Sequence, residues 1–182
     1  MNLAQSMPAP ETAASHARVR ALFDHHVDFV WRSARRLGLT NAEAEDAVQQ
    51  VFMVATRKIH EIDPNKERSY LLSTTYRVAA NARRSRARKR EDEMDRAVNA
   101  TNNEGPEGAL ERAQGFEIVQ RILDQLEEDI RDVFVLYELE EMTMAEISTL
   151  LDLAPGTVAS RLRRAREKFH ELAARYRNEG DA

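Results

Sequence analysis

The chain has 182 residues, of which 42% are hydrophobic and 32% are charged, and its net charge is -4. This composition predicts a soluble, helix-rich protein of one or two small domains and excludes a disordered chain. The absence of cysteine excludes disulfide scaffolds, cysteine-based zinc sites and thiol catalysis.

The N-terminal part predicts a tail followed by a helix. Residues 1–15, rich in alanine, proline and serine, are expected to be a mobile tail. We find no basic-then-apolar leader and no apolar run long enough to span a bilayer, so we expect a cytoplasmic protein. A first helix is predicted over residues 16–37, with Gly38 as its stop. Its apolar stripe is formed by Phe23, Val27, Val30, Trp31, Ala34 and Leu37.

A capping box opens the second predicted helix. The Thr40 hydroxyl and the Glu43 carboxylate are spaced so that each can satisfy an orphan backbone amide. The buried positions of this helix are Ala44, Ala47, Val48, Val51, Phe52, Ala55 and Ile59. Its outer face carries Asp46, Gln49, Gln50, Met53 and Arg57. This acidic and amide surface is suited to a basic protein partner or to solvent.

A polar, aromatic and cationic stripe follows on the third helix, predicted over residues 67–90 after a break at Pro64. Alternating steps of four and three place one set of side chains on a single face: Tyr70, Thr74, Arg77, Asn81, Arg84 and Arg88. Cations on such a face meet phosphates, and flat groups stack on bases, so the stripe favours nucleic acid. A solvated helix face is the alternative.

The charges of the chain are segregated. Residues 77–90 contain many cations and no acid, whereas residues 124–141 are dominated by acids, with Arg131 as their one base. Between these two segments, residues 93–113 have no apolar periodicity and predict a flexible linker.

The second domain, predicted over residues 114–177 with a short tail over 178–182, has a helix-turn-helix pattern. Thr143 and Glu146 form another capping box, and Pro155 suits the first turn of the last helix. The core stripe of that helix is Val158, Leu162, Ala165, Phe169, Leu172 and Tyr176. Its other side presents Thr157, Ser160, Arg161, Arg163 and Arg164, which are able to reach base edges and phosphates in a major groove. A plain helical hairpin with a solvated cationic face is the alternative.

Over residues 18–176 the chain resembles the extracytoplasmic-function group (group IV) of bacterial RNA polymerase sigma factors. Residues 44–52 resemble the region-two helix that binds the polymerase clamp, and residues 70–84 resemble the helix that opens and reads the minus-ten element. Residues 126–136 resemble the start of region four. The run 156–166, Gly-Thr-Val-Ala-Ser-Arg-Leu-Arg-Arg-Ala-Arg, resembles the recognition helix for the minus-thirty-five element.

The resemblance implies an all-α fold of two small helical domains, with region two over residues 16–92. It implies a non-catalytic protein without a cofactor, whose partners are the core polymerase, promoter DNA and an anti-sigma factor. The implied polymerase contacts are Glu45, Asp46, Gln49, Gln50 and Met53. The stripe on the third helix would read the minus-ten element, and the five residues on the outer side of the last helix would read the minus-thirty-five element. The linker would thread the channel that nascent RNA later uses. A simple tether is the other interpretation of the linker.

The chain departs from the family pattern at several positions. The family usually has Glu where Gln50 stands, often Trp at the position of Tyr70 and Asp at that of Asn81, and commonly Pro in place of Glu127. A Gly usually stands where this chain has Asp152, and a hydroxyl N-cap where it has Ala154. We expect the turn at Asp152 to survive, because Asp tolerates a left-handed backbone.

Two alternatives belong to other classes. An ordinary helix-turn-helix regulator would explain the second domain but leave the stripe on the third helix unused. A helical metal-dependent hydrolase would use His25, His26 or His60 with nearby acids, although these residues lack metal-ligand spacing. We therefore expect no metal site.

Overall fold

The computed structural model describes residues 10–94 and 110–180, and every regular element in these two ranges is helical. The α-helices are α1 (Pro10–Arg36), α2 (Asn41–Arg57), α3 (Glu67–Met94), α4 (Leu110–Asp124), α5 (Glu128–Phe134), α6 (Met144–Leu151) and α7 (Pro155–Gly180). A short 3-10 turn, Pro64–Lys66, precedes α3, and a π-helical turn, Val135–Leu139, continues α5. The predicted all-α, two-domain fold is confirmed.

Helices α1, α2 and α3 form the first domain around one apolar cluster. The predicted capping box at the start of α2 is present: the amide of Glu43 donates to Thr40 Oγ1, and the amide of Thr40 donates to Glu43 Oε2 at 2.8 Å. All seven predicted apolar positions of this segment are buried. The outer face of α2 is exposed, as its 3.6-residue period predicts.

The helix bounds differ from the predicted ones mainly at their ends. Helix α1 begins at Pro10 and ends at Arg36, so part of the predicted tail over residues 1–15 is helical. Helix α3 continues to Met94 and α4 starts at Leu110, which shortens the linker predicted over 93–113. Residues 1–9, 95–109 and 181–182 lie outside the described residues, and α7 continues to Gly180, into the predicted tail.

Helices α4 to α7 form the second domain. Thr143 caps α6 through the predicted box with Glu146, and α6 is followed by Asp152, which has left-handed backbone angles (φ 53°, ψ 49°). The expectation that an aspartate keeps this turn is thus confirmed. Glu141 is also in the left-handed region, with φ 60°. None of the described helices is long and apolar enough to traverse a lipid bilayer.

The two domains share a buried apolar surface. The loop after α1, with the helices around it, packs against α4, α5 and α7. The first domain contributes Ala34, Leu37, Leu39, Ala44, Ala47 and Ala79, and the second contributes Ile122, Leu123, Leu126, Ile130, Phe134, Val135, Ala165 and Leu172. The amphipathic periods predicted the helices. They did not indicate that some of the apolar residues would pack against the other domain.

Candidate nucleic-acid interface

Helix α3 presents most of the predicted stripe to solvent. Arg77, Asn81, Arg84 and Arg88 are exposed, and the Arg84 guanidinium donates a hydrogen bond to the Asn81 side-chain oxygen. This bond orients an amide and a guanidinium on one exposed surface. Tyr70 is half-buried and packs against the core of the first domain, so one part of its ring remains accessible.

Thr74 does not belong to this exposed surface. Thr74 is only 7% exposed, and its hydroxyl donates to the Tyr70 carbonyl at 2.9 Å. The prediction that Thr74 lies on the exposed stripe is therefore wrong. The reason is that α3 packs against both α1 and α2, which leaves a narrower open face than an isolated helix would have.

Two other cations of α3 face protein. Arg86 donates to Glu43 Oε2 at 2.7 Å and to the Gly38 carbonyl at 3.2 Å. Arg83 is buried, with 3% of its side chain exposed. Sequence reasoning missed the role of Arg83, although its spacing from Leu72 and Ala79 places it on the buried side of the helix.

The outer face of α2 forms a second exposed surface. All five residues predicted to bind polymerase are exposed, with Met53 at 55%: Glu45, Asp46, Gln49, Gln50 and Met53. Because the opposite side of α2 is buried in the core of the first domain, this face points to solvent. Carboxylates, amides and one apolar side chain provide charge complementarity to a basic surface together with some apolar contact.

The helix-turn-helix geometry of α6 and α7 is well defined. The Leu153 amide donates to the Ser148 carbonyl at 3.0 Å, and the Ser148 hydroxyl donates back to the Leu153 carbonyl. The Ala154 carbonyl accepts from the amides of Thr157 and Val158, which starts α7 immediately after the turn. The methyl side chain of Ala154 cannot accept a hydrogen bond from the first amides of α7, and the missing cap costs about 1 kcal/mol of helix stability.

The predicted recognition surface of α7 is open to solvent. Ser160, Arg163 and Arg164 are exposed, while Thr157 and Arg161 are partly covered. Because Val158, Leu162 and Ala165 are buried on the other side, these five residues share one outward face of the helix.

Acidic side chains of the second domain pair with the arginines of α7. Asp129 Oδ2 lies 3.2 Å from Arg161 Nε and 3.6 Å from Arg164 Nη2. Arg163 and Arg166 pair with Glu167 and Glu138, respectively. Any anion that binds these arginines must displace the carboxylates, which lowers the net gain from each such contact.

The histidines are not assembled into a metal site. His25 Nδ1 lies 2.6 Å from the Ala21 carbonyl, and His60 Nε2 lies 3.1 Å from the Ser15 hydroxyl. His26 lies 3.9 Å from a Glu67 oxygen, and burial lowers the pKa of His26. Within residues 10–94 and 110–180, no group of three histidine or acidic side chains has the geometry to hold a metal ion.

A helical bundle followed by a helix-turn-helix domain, each with an exposed cationic helix, defines a two-domain DNA-binding protein. Residues 22–89 match the Sigma-70 region 2 family, and residues 116–169 match the Sigma-70, region 4 family. The chain is 31% identical over 152 residues to the ECF RNA polymerase sigma factor SigL of Mycobacterium tuberculosis, which covers 82% of this chain and 85% of SigL. The chain belongs to the extracytoplasmic-function group of RNA polymerase sigma factors, as the resemblance implied.

Other comparisons agree with this family. The chain is 28% identical over 160 residues to the ECF RNA polymerase sigma factor SigE of Mycolicibacterium smegmatis, which covers 87% of this chain and 62% of SigE. The sigma factor RpoE, solved in complex with the anti-sigma factor NepR from Bartonella quintana, superimposes with a TM-score of 0.65. That match has 21% identity and covers 85% of this chain and 96% of RpoE, and it shows the likeness of the fold.

Proposed function

We propose that this protein binds the core of a bacterial RNA polymerase and directs it to promoters, and that it performs no catalysis itself. One observation carries the proposal: one acidic and two cationic surfaces are exposed on three separate helices. They are the acidic and amide face of α2, the cationic face of α3 and the cationic face of α7. An ordinary helix-turn-helix regulator needs only the last of these.

The face of α2 would bind the clamp of the largest polymerase subunit. Glu45 and Asp46 supply negative charge, Gln49 and Gln50 supply hydrogen-bonding groups, and Met53 supplies an adaptable apolar contact. The amide at Gln50 keeps hydrogen bonding but carries no charge. The main attraction would therefore come from the two carboxylates.

The face of α3 would bind the separated strand of the minus-ten element. Arg77, Arg84 and Arg88 would neutralise phosphates, while the Tyr70 ring and the Asn81 amide would contact bases. Stacking of one base on an aromatic ring contributes about 1–3 kcal/mol. Since Thr74 is buried, the proposed surface excludes it.

The face of α7 would enter the major groove of the minus-thirty-five element. Arg161 and Arg164 lie near the start of the helix, where side chains of recognition helices reach base edges. Thr157, Ser160 and Arg163 would complete the contact with bases and phosphates. Because carboxylates already pair with the arginines, the free protein is expected to bind promoter duplex weakly, and its affinity would come from joining two contacts through one polymerase.

We further propose that an anti-sigma factor regulates the protein, because the RpoE structure with a similar fold contains one. The protein would act in the cytoplasm and lie with the nucleoid when it is bound to polymerase. Identification of the anti-sigma factor would come from affinity capture with the full chain, followed by reconstitution of the purified pair.

The two separate roles are tested by two substitutions. Arg161→Ala is expected to reduce promoter-specific transcription by about tenfold or more while leaving core binding unchanged, since base-reading arginines contribute about 1–3 kcal/mol. Asp46→Ala is expected to weaken core binding directly. Pull-down with sigma-free polymerase measures core binding, and run-off transcription measures promoter-specific initiation. If both substitutions act identically on both measurements, the assignment of separate surfaces is wrong.

A further inference from the structure

One hydrogen bond on the exposed face of α3 fixes the orientation of the Asn81 side chain. Arg84 Nη2 donates to Asn81 Oδ1, and both side chains are exposed. Residues three positions apart lie side by side on a helix, so the contact is made within one turn. A guanidinium group carries five N–H donors and no acceptor. Only the carboxamide oxygen of Asn81 can therefore face Arg84.

The bond makes Asn81 a hydrogen-bond donor towards any third group. A free asparagine side chain offers both an acceptor oxygen and two N–H donors. Because Arg84 engages the oxygen, the amide nitrogen is directed away from it with its N–H groups. Arg77, which is exposed four residues earlier on the same face, also has donors only. The surface around Asn81 thus presents N–H groups from three neighbouring side chains.

The packing of α3 keeps this surface outward. Ala79, Ala80 and Arg83 alternate with the exposed positions along the chain, and all three are buried. Rotation of the helix about its axis would expose these residues to solvent. The donors of Asn81 and Arg84 are therefore held on the open side of the first domain.

A set of donors matches some base edges and mismatches others. The usual pairing of asparagine with adenine is bidentate, because the oxygen accepts from the N6 amino group while the amide donates to N7. Arg84 occupies the oxygen that this pairing needs. Guanine instead offers two adjacent acceptors, O6 and N7, which one N–H of Asn81 and a further N–H of Arg84 can meet together. In a separated strand these edges are directly accessible to side chains.

We propose that Arg84 determines the base specificity of Asn81, so that the pair selects guanine and disfavours adenine at the one position of the single strand that Asn81 contacts. This inference rests on the function proposed above and adds a base class to the surface of α3. It also distinguishes Arg84 from Arg88. Arg88 is exposed on the same face but lies seven residues after Asn81, roughly 10 Å along the helix axis, so it contributes charge only.

Selection of single-stranded DNA tests this proposal. The full chain is assembled with sigma-free bacterial polymerase and mixed with a pool of random-sequence single-stranded oligonucleotides, and the bound fraction is sequenced. Polymerase without this protein gives the background. Asn81→Ala identifies the position that Asn81 reads, because only that position loses its base preference. At this position we expect the parent to retain guanine over adenine by about fivefold or more.

Arg84→Ala is the test variant, and Arg88→Ala is its matched control. Each removes one exposed arginine of α3, so both should weaken the binding of all sequences. Arg84→Ala also releases the Asn81 oxygen for bidentate pairing with adenine, so the ratio of guanine to adenine should fall by about fivefold or more. Arg88→Ala should leave this ratio within about twofold of the parent.

Two further measurements address the bond itself. Asn81→Asp keeps an oxygen for Arg84 and replaces the N–H donors by an acceptor, so it should shift the preference towards adenine, whose amino group donates. In the isotope-labelled free protein, without polymerase or DNA, Arg84→Ala should shift the side-chain amide resonances of Asn81. Arg88→Ala should leave these resonances in place.

The possible outcomes are distinct. Equal effects of Arg84→Ala and Arg88→Ala on the ratio of guanine to adenine would overturn the inference, as would a parent that retains adenine at the position read by Asn81. If no position depends on Asn81 while the assembled polymerase initiates at promoters, the inference is overturned and the proposed function stands. If the amide resonances respond as expected but the chain fails to bind sigma-free polymerase, the proposed function is overturned and the base assignment falls with it.

Discussion

Arg83 and Asp132 form a 2.6 Å charged hydrogen bond between residues 49 positions apart in the chain, and each side chain is more than nine-tenths buried. One lies in a run of cations and the other in a run of acids, and both runs suggested exposed surfaces. The pair instead closes the space between the two domains. Some charged residues of these two runs therefore pair with each other inside the molecule instead of facing solvent.

Removal of one partner of this pair should be more harmful than removal of both. Arg83→Met or Asp132→Asn alone leaves a polar or charged group without its partner, and breaking a buried pair costs about 3–5 kcal/mol unless the domains separate. The double variant should lose less than the sum of the single losses. Chemical unfolding of the four proteins measures this coupling. Additive losses would show that the two side chains do not depend on each other.

The contact between the two domains should strengthen as the pH falls through about 6. Burial raises the pKa of Asp132 from 3.8 to about 6, with Glu128 adding to the rise and the cations Arg83 and Arg131 opposing it. The facing phenol of Tyr76, whose pKa burial raises further, does not titrate in this range. With the domains in contact, Asp132 therefore binds a proton that an exposed aspartate would bind only near pH 4.

Below about pH 6 this difference favours contact between the two domains. Interdomain distances measured at pH 7.5 and at pH 5 test the shift. Contact that strengthens instead as the pH rises would contradict the assignment, because a raised aspartate pKa acts only in the other direction.

Asp129→Asn should tighten non-specific DNA binding. The substitution frees Arg161 and Arg164 from their shared carboxylate, so both guanidinium groups become available to phosphates. Because exposed ion pairs contribute at most about 1 kcal/mol, we expect a gain of between about twofold and fivefold. Titration of a random duplex at several salt concentrations measures it. Glu61→Gln, which removes one negative charge from the first domain, controls for net charge and should have a smaller effect.

Thr74→Val and Asn81→Ala should differ in promoter recognition. Thr74 is buried and its hydroxyl bonds only to the Tyr70 carbonyl, so the isosteric valine should leave transcription within about twofold of the parent. Asn81 is exposed, and its loss should reduce transcription at least fivefold if it contributes about 1 kcal/mol or more to base contact. Run-off transcription with sigma-free polymerase compares them. Equal losses would show that Thr74 becomes accessible in the promoter complex.

Thr143→Ala should destabilise the helix-turn-helix domain by about 1 kcal/mol, because it removes the side-chain cap of α6. Backbone and side-chain hydrogen bonds from Thr143 also lower the pKa of Glu146, which indicates that the carboxylate acts as the second half of the box. Thr149→Ala, an exposed threonine of the same helix, is the matched control and should change stability by a smaller amount. Urea unfolding measures both.

Local features of this protein were predictable where neighbours in the chain determine them. Both capping boxes, the left-handed turn at Asp152 and the start of α7 at Pro155 depend on groups within a few residues of one another. The exposure of the α2 and α7 faces also followed from their 3.6-residue periods. These predictions succeeded because the physical cause lies within one helix and its flanking turn.

Thr74 was placed on the wrong side of α3, and the burial of Arg83 and Glu140 was not predicted, because the surroundings of these residues come from distant segments. A cation in a basic run has the same local pattern whether solvent or a carboxylate of another domain faces it. The spacing of Arg83 with Leu72 and Ala79 was the available signal, and it indicated a buried side of the helix but no partner.

The amino-acid order by itself determined the helical character of the chain, both capping boxes and the exposed polar faces of α2 and α7, since hydrogen bonding and amphipathic periodicity act over short separations. Only the tertiary structure decided which charges remain available on those faces. Contact between the domains buried Glu140 and Asp132, and a buried carboxylate needs donors that chain separation alone does not reveal.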